Sequence, residues 1–504
     1  MKAARVARVG ACAGVCASVV LGACGARPAP SVARGPSLSP TRYEIAIDPS
    51  LERLTETLCS EGPWTDRVVS IHEEARARLV TASIVRGGVE RPLRVEGTDG
   101  PLAITTAGLA PSECVRLVLD VARAGGGMDG CLGRAGVVTC ATSAWLVAAE
   151  PWRTSSRHRV TFTLPEGVAV SPIFGEDEGG TFLDERAFRY VGYVSFGDLV
   201  QHEITVPGGC AHVVAPARSE VASSPHLVPW VERASRASAA LTGLSTARDV
   251  TISVLPVPMG SAAEPVLFGM AGRGTRPSVI ALVAEPAVPT LETDWTLVHE
   301  LVHLSVPYVP VEDAWLSEGI ATYYQEILRA RAGMQSAEEA WRALDRGVSR
   351  GAAEPARDTL REASRGMRES RAFTRVYWAG AAIVWMLDVV SRASGRESLD
   401  ARIARLEARR DETMSADALI AALDDEDGTL RALVDRWLDE EEFPDLGDVY
   451  EALSLSHDAN GELVLSLRNS LRESIVNDGR SAASNGRCSR VVLTSPACGS
   501  CSNL

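Results

Sequence analysis

Two histidines stand four residues apart in the segment TLVHELVHLSV, residues 296–306, and a glutamate directly follows the first of them. If this segment is helical, His299 and His303 lie one turn apart on the same face, where both imidazoles can bind a single zinc ion. Glu300 then lies beside the first ligand, placed to accept a proton from an attacking water molecule. The pattern predicts a hydrolytic zinc site. The alternative is a buried helix whose two histidines have other hydrogen-bond partners.

A catalytic zinc ion needs a third protein ligand and an open fourth position. The metzincin pattern requires a glycine and a histidine where this chain has Val306 and Val309, so that class is excluded. The next segment, DAWLSEGIATYYQE, supplies a glutamate instead, and Glu318 is the predicted third ligand. Two rival carboxylates are nearby: Glu312 is expected in the preceding turn, and Glu326 is expected to be solvated.

The combination of HELVH with WLSEGIATYYQE resembles the gluzincin zinc metallopeptidases, in particular the peptidase MA-like proteins and the glycyl-aminopeptidase and aminopeptidase-N-like catalytic domains. A further segment, VYWAGAAIVWMLD at 376–388, resembles the Tyr-x-x-Gly helix of this family. On that match Tyr377 donates a hydrogen bond to the tetrahedral oxyanion, and Gly380 permits close helix packing. The resemblance covers residues 225–400 and implies a thermolysin-like, mainly α-helical catalytic domain.

The resemblance also implies the reaction, which is hydrolysis of peptide bonds in a peptide or protein substrate with Zn2+ as cofactor. The two histidines and Glu318 would bind the metal. Glu300 would be the general base that passes the water proton to the leaving amine, and Tyr377 would stabilise the oxyanion. Thr322, one turn beyond Glu318, is a candidate for orienting a ligand, although a threonine on a helix face is commonly just packed.

One part of the aminopeptidase pattern is missing. Aminopeptidases of this group carry a Gly-x-Met-Glu-Asn strand, and its glutamate binds the free amine of the substrate. The corresponding stretch, VLFGMAGRGTRPSVIALVAE at 266–285, has Ala271 directly after Met270, where the pattern has its glutamate. Exopeptidase and endopeptidase action therefore both remain open. We expect the strand SVIALVAE at 278–285 to pair with an extended peptide by strand addition, which would suit an endopeptidase.

The first residues are typical of an exported bacterial lipoprotein. A short cationic stretch precedes an apolar run, and residues 21–24 read LGAC, which resembles the lipobox. This predicts a signal peptide at 1–23, lipidation of Cys24, and a Pro/Ser/Gly-rich tether at 24–41. The alternative is an ordinary secretory signal that is cut nearby. The protein is expected at the cell envelope, with a lipid anchor in the outer membrane or at the cell surface.

Cysteine usage and charge agree with export. Eight cysteines remain after the predicted signal and lipid site, and an even number predicts disulfides without fixing their connectivity. They are Cys59, Cys114, Cys131, Cys140, Cys210, Cys488, Cys498 and Cys501. The formal net charge is −14, which argues against a nucleic-acid partner because such proteins normally carry a basic patch.

The expected fold class is a multidomain α+β protein. Short strands separated by turn residues predict an N-terminal all-β domain at 42–215. Helical periodicity then predicts a gluzincin-like catalytic domain at 225–445, followed by a C-terminal strand and a cysteine-containing tail at 446–504. Two alternatives to a zinc peptidase remain: a non-catalytic zinc-binding envelope lipoprotein, and a gluzincin hydrolase of a non-peptide substrate.

Overall fold

The computed structural model describes residues 41–125, 127–150, 157–258, 265–425, 427–466 and 468–477. The predicted signal peptide, Cys24, the tether up to residue 40 and the tail from residue 478 lie outside the described residues. Lipidation of Cys24 and the pairing of the last three cysteines therefore stay predictions.

The N-terminal part is built almost entirely from strands, as predicted. The strands are β1 Thr41–Ile47, β2 Arg53–Ser60, β3 Arg67–Ser70, β4 Leu79–Arg86, β5 Val89–Pro92, β6 Val95–Glu96, β7 Ala103–Thr105, β8 Cys114–Asp120, β9 Cys131–Arg134, β10 Val137–Ala141, β11 Val147–Glu150, β12 His158–Thr163, β13 Ala169–Val170, β14 Gly175–Asp177, β15 Gly180–Leu183 and β16 Tyr193–Gly197. Two short helices interrupt them, α1 Glu74–Arg78 and α2 Glu185–Arg189.

These strands form three sheets around one apolar core. An eight-stranded sheet has the order β14-β15-β12-β1-β2-β8-β4-β5, and two four-stranded sheets have the orders β13-β16-β10-β9 and β11-β3-β7-β6. Side chains in β1 and β8 alternate between buried and more exposed positions, which is why their sequences read with period two. Disulfides join directly opposed residues of neighbouring strands, Cys59–Cys114 and Cys131–Cys140.

One carboxyl group lies in this core. Glu56 on β2 is fully buried, and the backbone N–H of Val147 donates to one of its oxygens at 3.4 Å. The other oxygen has no hydrogen-bond partner among the described residues. Burial raises the pKa of Glu56 well above its usual value, and the hydrogen bond from Val147 offsets only part of this effect.

Glu56→Gln should therefore stabilise the protein at neutral pH. Because the folded pKa is raised, the folded protein keeps a proton that the unfolded chain loses, so the free energy of unfolding falls as the pH rises above the unfolded pKa. The glutamine variant avoids this loss, on the order of 1–3 kcal/mol. The Tm of the variant should exceed that of the wild type at about pH 8, and the difference should be much smaller at about pH 4. Glu44→Gln, at an exposed position, is the control. An equal gain at both pH values would contradict the assignment.

The second half is organised on a five-stranded mixed sheet. Its strands are β17 Leu199–Val206, β18 Gly209–Pro216, β19 Thr251–Val257, β20 Val266–Gly272 and β21 Ser278–Ala284. Their order is β17-β18-β19-β21-β20, with parallel pairing at β18–β19 and β19–β21 and antiparallel pairing at the two outer contacts. β20 is thus an edge strand, and its register with β21 shifts between Val266 and Phe268.

The pairing corrects two expectations. First, β17 and β18, which the predicted N-terminal domain at 42–215 includes, pair into the five-stranded sheet of the second half. Second, the strand expected to receive a peptide is β21, but it is paired on both sides, with β19 and with β20. Among the described strands, β20 and not β21 is the edge strand on this side of the sheet.

Helices cover this sheet and complete one large core. They are α3 Glu220–Ser223, α4 Leu227–Thr242, α5 Thr296–His303, α6 Ala314–Arg331, α7 Ala337–Ala353, α8 Leu360–Arg365, α9 Met367–Ser370, α10 Phe373–Ala393, α11 Leu399–Arg405, α12 Ala416–Leu423, α13 Thr429–Leu438, α14 Gly447–Ala452 and α15 Ser470–Asn477, with the hairpin β22 Leu455–His457 and β23 Leu463–Leu465. Among the described helices α10 alone is long and apolar enough to cross a membrane, but 78% of its apolar window is buried in the protein, as in a core helix.

The described part of the C-terminal segment belongs to this helical core. The predicted strand is present as β23. However, Leu453, Leu463 and Ile475 pack into the same apolar cluster as the catalytic helices. The boundary predicted at residue 445 therefore does not separate two cores.

Candidate active site

The two histidines and Glu300 lie on the short helix α5, as predicted. Asp294, just before the helix, accepts a hydrogen bond from the backbone N–H of Thr296 at 2.7 Å. The apolar side chains Leu297, Val298, Leu301 and Val302 are buried in the helical core and fix the orientation of the helix. Both imidazoles then contact α6, whereas Glu300 lies against β20.

Three donor atoms converge between α5 and α6. The Nε2 atom of His299 lies 3.2 Å from Nε2 of His303 and 3.2 Å from Oε2 of Glu318, and the His303 Nε2 lies 3.5 Å from the same oxygen. Zinc ligands at 2.0–2.2 Å in a tetrahedral arrangement lie roughly 3.3 Å from one another. The donor set of two imidazoles and a carboxylate, with these separations, therefore fits a zinc ion.

The partner that orients the first histidine is Gln325. Nδ1 of His299 donates to Oε1 of Gln325 at 2.8 Å, which leaves Nε2 facing the other two donors. Gln325 was not predicted for this role; the candidate was Thr322, whose hydroxyl has no hydrogen-bond partner among the described residues. A signal was available, since Gln325 follows Glu318 by seven residues and lies on the same face of α6.

The rival carboxylates lie away from the cluster. Glu312 is exposed in the turn before α6, as expected. The expectation that Glu326 is solvated was wrong: it is buried and accepts hydrogen bonds from Gln325 at 3.0 Å, Gln335 at 2.8 Å and Arg329 at 3.1 Å. A buried carboxylate requires such partners. Through its hydrogen bond with Gln325, Glu326 also holds the residue that orients His299.

Glu300 is held between α5 and the edge strand β20. It is buried, and the backbone of Ala271 donates a hydrogen bond to it. A Cβ atom on Gly269 would lie 3.0 Å from Oε1 of Glu300 and 2.6 Å from Cγ2 of Thr296, so only glycine permits this approach. Burial raises the pKa of Glu300, against the lowering effect of the two histidines.

Tyr377 reaches the same site from α10. Its ring stacks on that of His299 with centroids 6.2 Å apart, and its hydroxyl is hydrogen-bonded to Glu318. Burial, and then the charges of Glu318 and Glu300, raise the pKa of Tyr377, so its hydroxyl keeps its proton at neutral pH. The phenol predicted for the oxyanion therefore lies beside the predicted ligands.

Two glycines and a buried polar network fix α6 against α10. A Cβ on Gly380 would lie 2.0 Å from the backbone oxygen of Trp315 and 3.0 Å from Cα of Gly319. Further along the same contact, the Tyr323 hydroxyl donates to Asp388 at 2.8 Å. The helix that carries Glu318 and the helix that carries Tyr377 therefore meet backbone to backbone, next to the site.

The chain matches a known peptidase family over part of its helical region. The sequence model of the M61 glycyl aminopeptidase family matches residues 308–412, which include Glu318 and Tyr377. No curated protein matches the chain.

Solved zinc peptidases and a related hydrolase share the fold. An aminopeptidase N family protein from Idiomarina loihiensis superposes with a TM-score of 0.64 at 13% identity, covering 82% of this chain and 78% of its own. The M1 zinc metallopeptidase from Deinococcus radiodurans gives 0.52 at 16% identity, with 82% and 96% covered. Yeast LTA4 hydrolase in complex with bestatin gives 0.52 at 14% identity, with 83% and 71% covered.

These matches confirm the predicted fold class and the resemblance to the gluzincin metallopeptidases. Together with the donor cluster, they support a hydrolase of the zinc metallopeptidase class with Zn2+ as its cofactor.

Proposed function

We propose that this protein hydrolyses peptide bonds, with the metal bound by His299, His303 and Glu318, Glu300 as general base and Tyr377 as oxyanion donor. The observation that carries the proposal is the convergence of the three donor atoms within 4.8 Å of one another. The carboxylate of Glu300 on α5 and the phenol of Tyr377 on α10 border the same cluster. A non-catalytic zinc protein would not need either of them.

The chemistry divides among these groups in a simple way. When bound there, Zn2+ supplies a Lewis acid for the scissile carbonyl and the attacking water. Glu300 would take the proton of the water and deliver it to the leaving amine. Tyr377 donates its hydroxyl proton to a hydrogen bond with the developing oxyanion.

The proposed substrate is an extended peptide that pairs with β20. Within the described residues β20 is an edge strand of the sheet, and it passes directly by Glu300. Ala271 stands on this strand in place of the glutamate that binds a free amine in aminopeptidases of this group. We therefore propose endopeptidase action. Cleavage that is confined to N-terminal residues and stops when the peptides are acetylated would overturn this part.

Removal of the metal tests the proposal as a whole. Dialysis against a chelator should lower hydrolysis of a mixed peptide library by more than about 100-fold, because the Lewis acid is lost. One equivalent of Zn2+ should restore it, measured as rate together with zinc content. Glu318→Ala should bind zinc weakly and fail to recover. Full peptide hydrolysis by metal-free protein would refute the proposed mechanism.

We also propose that the mature protein is anchored at the cell envelope through lipid on Cys24. The two disulfides in the β domain support an oxidising compartment. In a bacterial host, the wild type should fractionate with membranes and incorporate labelled fatty acid, whereas Cys24→Ala should do neither. Recovery of the wild type only in soluble fractions, without label, would contradict this localisation.

A further inference from the structure

A cavity of about 390 Å3 opens beside the candidate active site. His299, Gln325 and Tyr377 form one wall, so the cavity borders both a predicted zinc ligand and the oxyanion phenol. Its size lies within the range of pockets that hold small ligands or side chains. The opposite wall is helix α7, which contributes no group to the catalytic site itself.

Two glycines bring α7 against α10 at this cavity. A Cβ on Gly347 would lie 2.0 Å from the ring of Trp378, and a Cβ on Gly351 would lie 2.6 Å from the Trp378 Cβ. The Trp378 side chain therefore packs directly against the backbone of α7 at these two glycines. Each glycine follows an arginine, Arg346 and Arg350, and both arginines line the cavity. The Arg350 guanidinium also lies over the Trp378 ring, 5.5 Å from its centroid.

Both arginines are exposed, and neither forms an ion pair within the described part of the chain. By contrast Arg342, on the same helix, is paired with Glu338. Two carboxylates, Glu326 and Glu339, also line the cavity, and their positions decide whether they can neutralise the arginines. Glu326 is already engaged by three neighbours.

The second carboxylate, Glu339, lies at the other end of the cavity. It precedes Arg346 by seven residues and Arg350 by eleven, which corresponds to roughly 10 and 16 Å along the helix. The end next to Trp378 is thus cationic in a protein whose net charge is −14. A cationic cavity wall attracts anionic groups, and guanidinium groups match carboxylates in particular.

We propose that this cavity is a substrate subsite that binds a carboxylate, with Arg346 and Arg350 as specificity-determining residues. The inference rests on the proposed peptidase function and names its preferred substrates, which are peptides with a carboxylate a short distance from the scissile bond. Such a carboxylate belongs either to an aspartate or glutamate side chain or to a free C-terminus. Both present the same planar acceptor to a guanidinium.

Four families of matched peptides test the proposal on the zinc-loaded mature protein. They carry Glu or Gln at each position around the cleaved bond, and each is made with a free and an amidated C-terminus. The wild type should cleave the best carboxylate peptide with a kcat/KM about tenfold above that of its neutral counterpart, as expected for a charge-assisted contact. A gain confined to Glu identifies a side-chain site, and a gain confined to the free terminus identifies a C-terminal site.

The variants Arg346→Gln and Arg350→Gln should each reduce this preference, and the double variant should abolish it while it still cleaves neutral peptides. Arg342→Gln is the matched control on the same helix and should keep the full preference. Binding gives an independent measurement: the Kd values of the Glu and Gln peptides for Glu300→Gln, followed by tryptophan fluorescence, should differ by about tenfold.

The outcomes separate the two proposals. Equal kcat/KM for charged and neutral peptides in the wild type, or an unchanged preference in the double variant, would refute the subsite alone. If no peptide is cleaved, the proposed function fails, and equal Kd values in the binding experiment then overturn the subsite as well.

Discussion

Replacing Glu300 with glutamine should lower kcat for peptide hydrolysis by roughly 10²–10⁴-fold, the usual contribution of a general base. The amide keeps the size of the side chain and its contact with the backbone at Ala271, but it cannot accept the proton of the attacking water. Since Glu300 is not one of the three converging donors, the variant should still bind one zinc ion. Steady-state kinetics and metal analysis on the same preparation measure both quantities.

A matched control comes from the rival carboxylate in the turn before α6. Glu312 is exposed and remote from the donor cluster, so Glu312→Gln should leave kcat within about twofold of the wild type. The assignment of Glu300 fails if the zinc-loaded glutamine variant keeps more than about a tenth of the wild-type kcat.

Gly380→Ala should strongly destabilise the helical half of the molecule. The new Cβ would lie 2.0 Å from the backbone oxygen of Trp315, and backbone atoms cannot move aside as a flexible side chain does. The two helices must separate, which should cost about 3 kcal/mol or more of unfolding free energy. The same movement withdraws Tyr377 from Glu318, so hydrolysis should fall even where the protein remains folded.

Thermal unfolding and kcat of the variant test this expectation. Gly366→Ala is a suitable control, because its Cβ would lie 3.6 Å from the nearest atom, the backbone oxygen of Glu362, an ordinary van der Waals distance. A Gly380→Ala protein with the wild-type Tm and full activity would show that α6 and α10 are not rigidly packed at this point.

The site could be predicted largely because its groups are encoded locally. Helical spacing alone places His299 and His303 on one face with Glu300 beside them. Glu318 was predicted as the third ligand from the segment that follows the first helix, whereas only the family resemblance connected Tyr377 to the site. Gln325 was not predicted as the partner of His299, because helical periodicity places both Gln325 and Thr322 on the same face of α6 as Glu318. Which of the two reaches His299 depends on how α5 and α6 pack, and periodicity does not contain that information.

The strands show the same limit at the level of the sheets. Short strand-like segments separated by turn residues predicted a β-rich N-terminal half, and alternation of apolar residues reflects one buried and one exposed face. It does not state which strand is the neighbour. β17 and β18 therefore looked like a continuation of the β domain, and β21 looked available to a peptide although β20 covers it. Pairing is decided by the tertiary structure.

The position of β20 has a further consequence, for aggregation. A strand edge that is free to receive a peptide is equally free to receive the same edge of a second molecule. A proline or an inward-facing charge on β20 would block this edge against a second molecule, but it would also prevent pairing with a peptide. β20 instead carries Gly269 and Gly272 and a register shift near its start, which shorten and deform the regular ladder that a second molecule would need. We expect solubility to suffer first when this strand is made more regular.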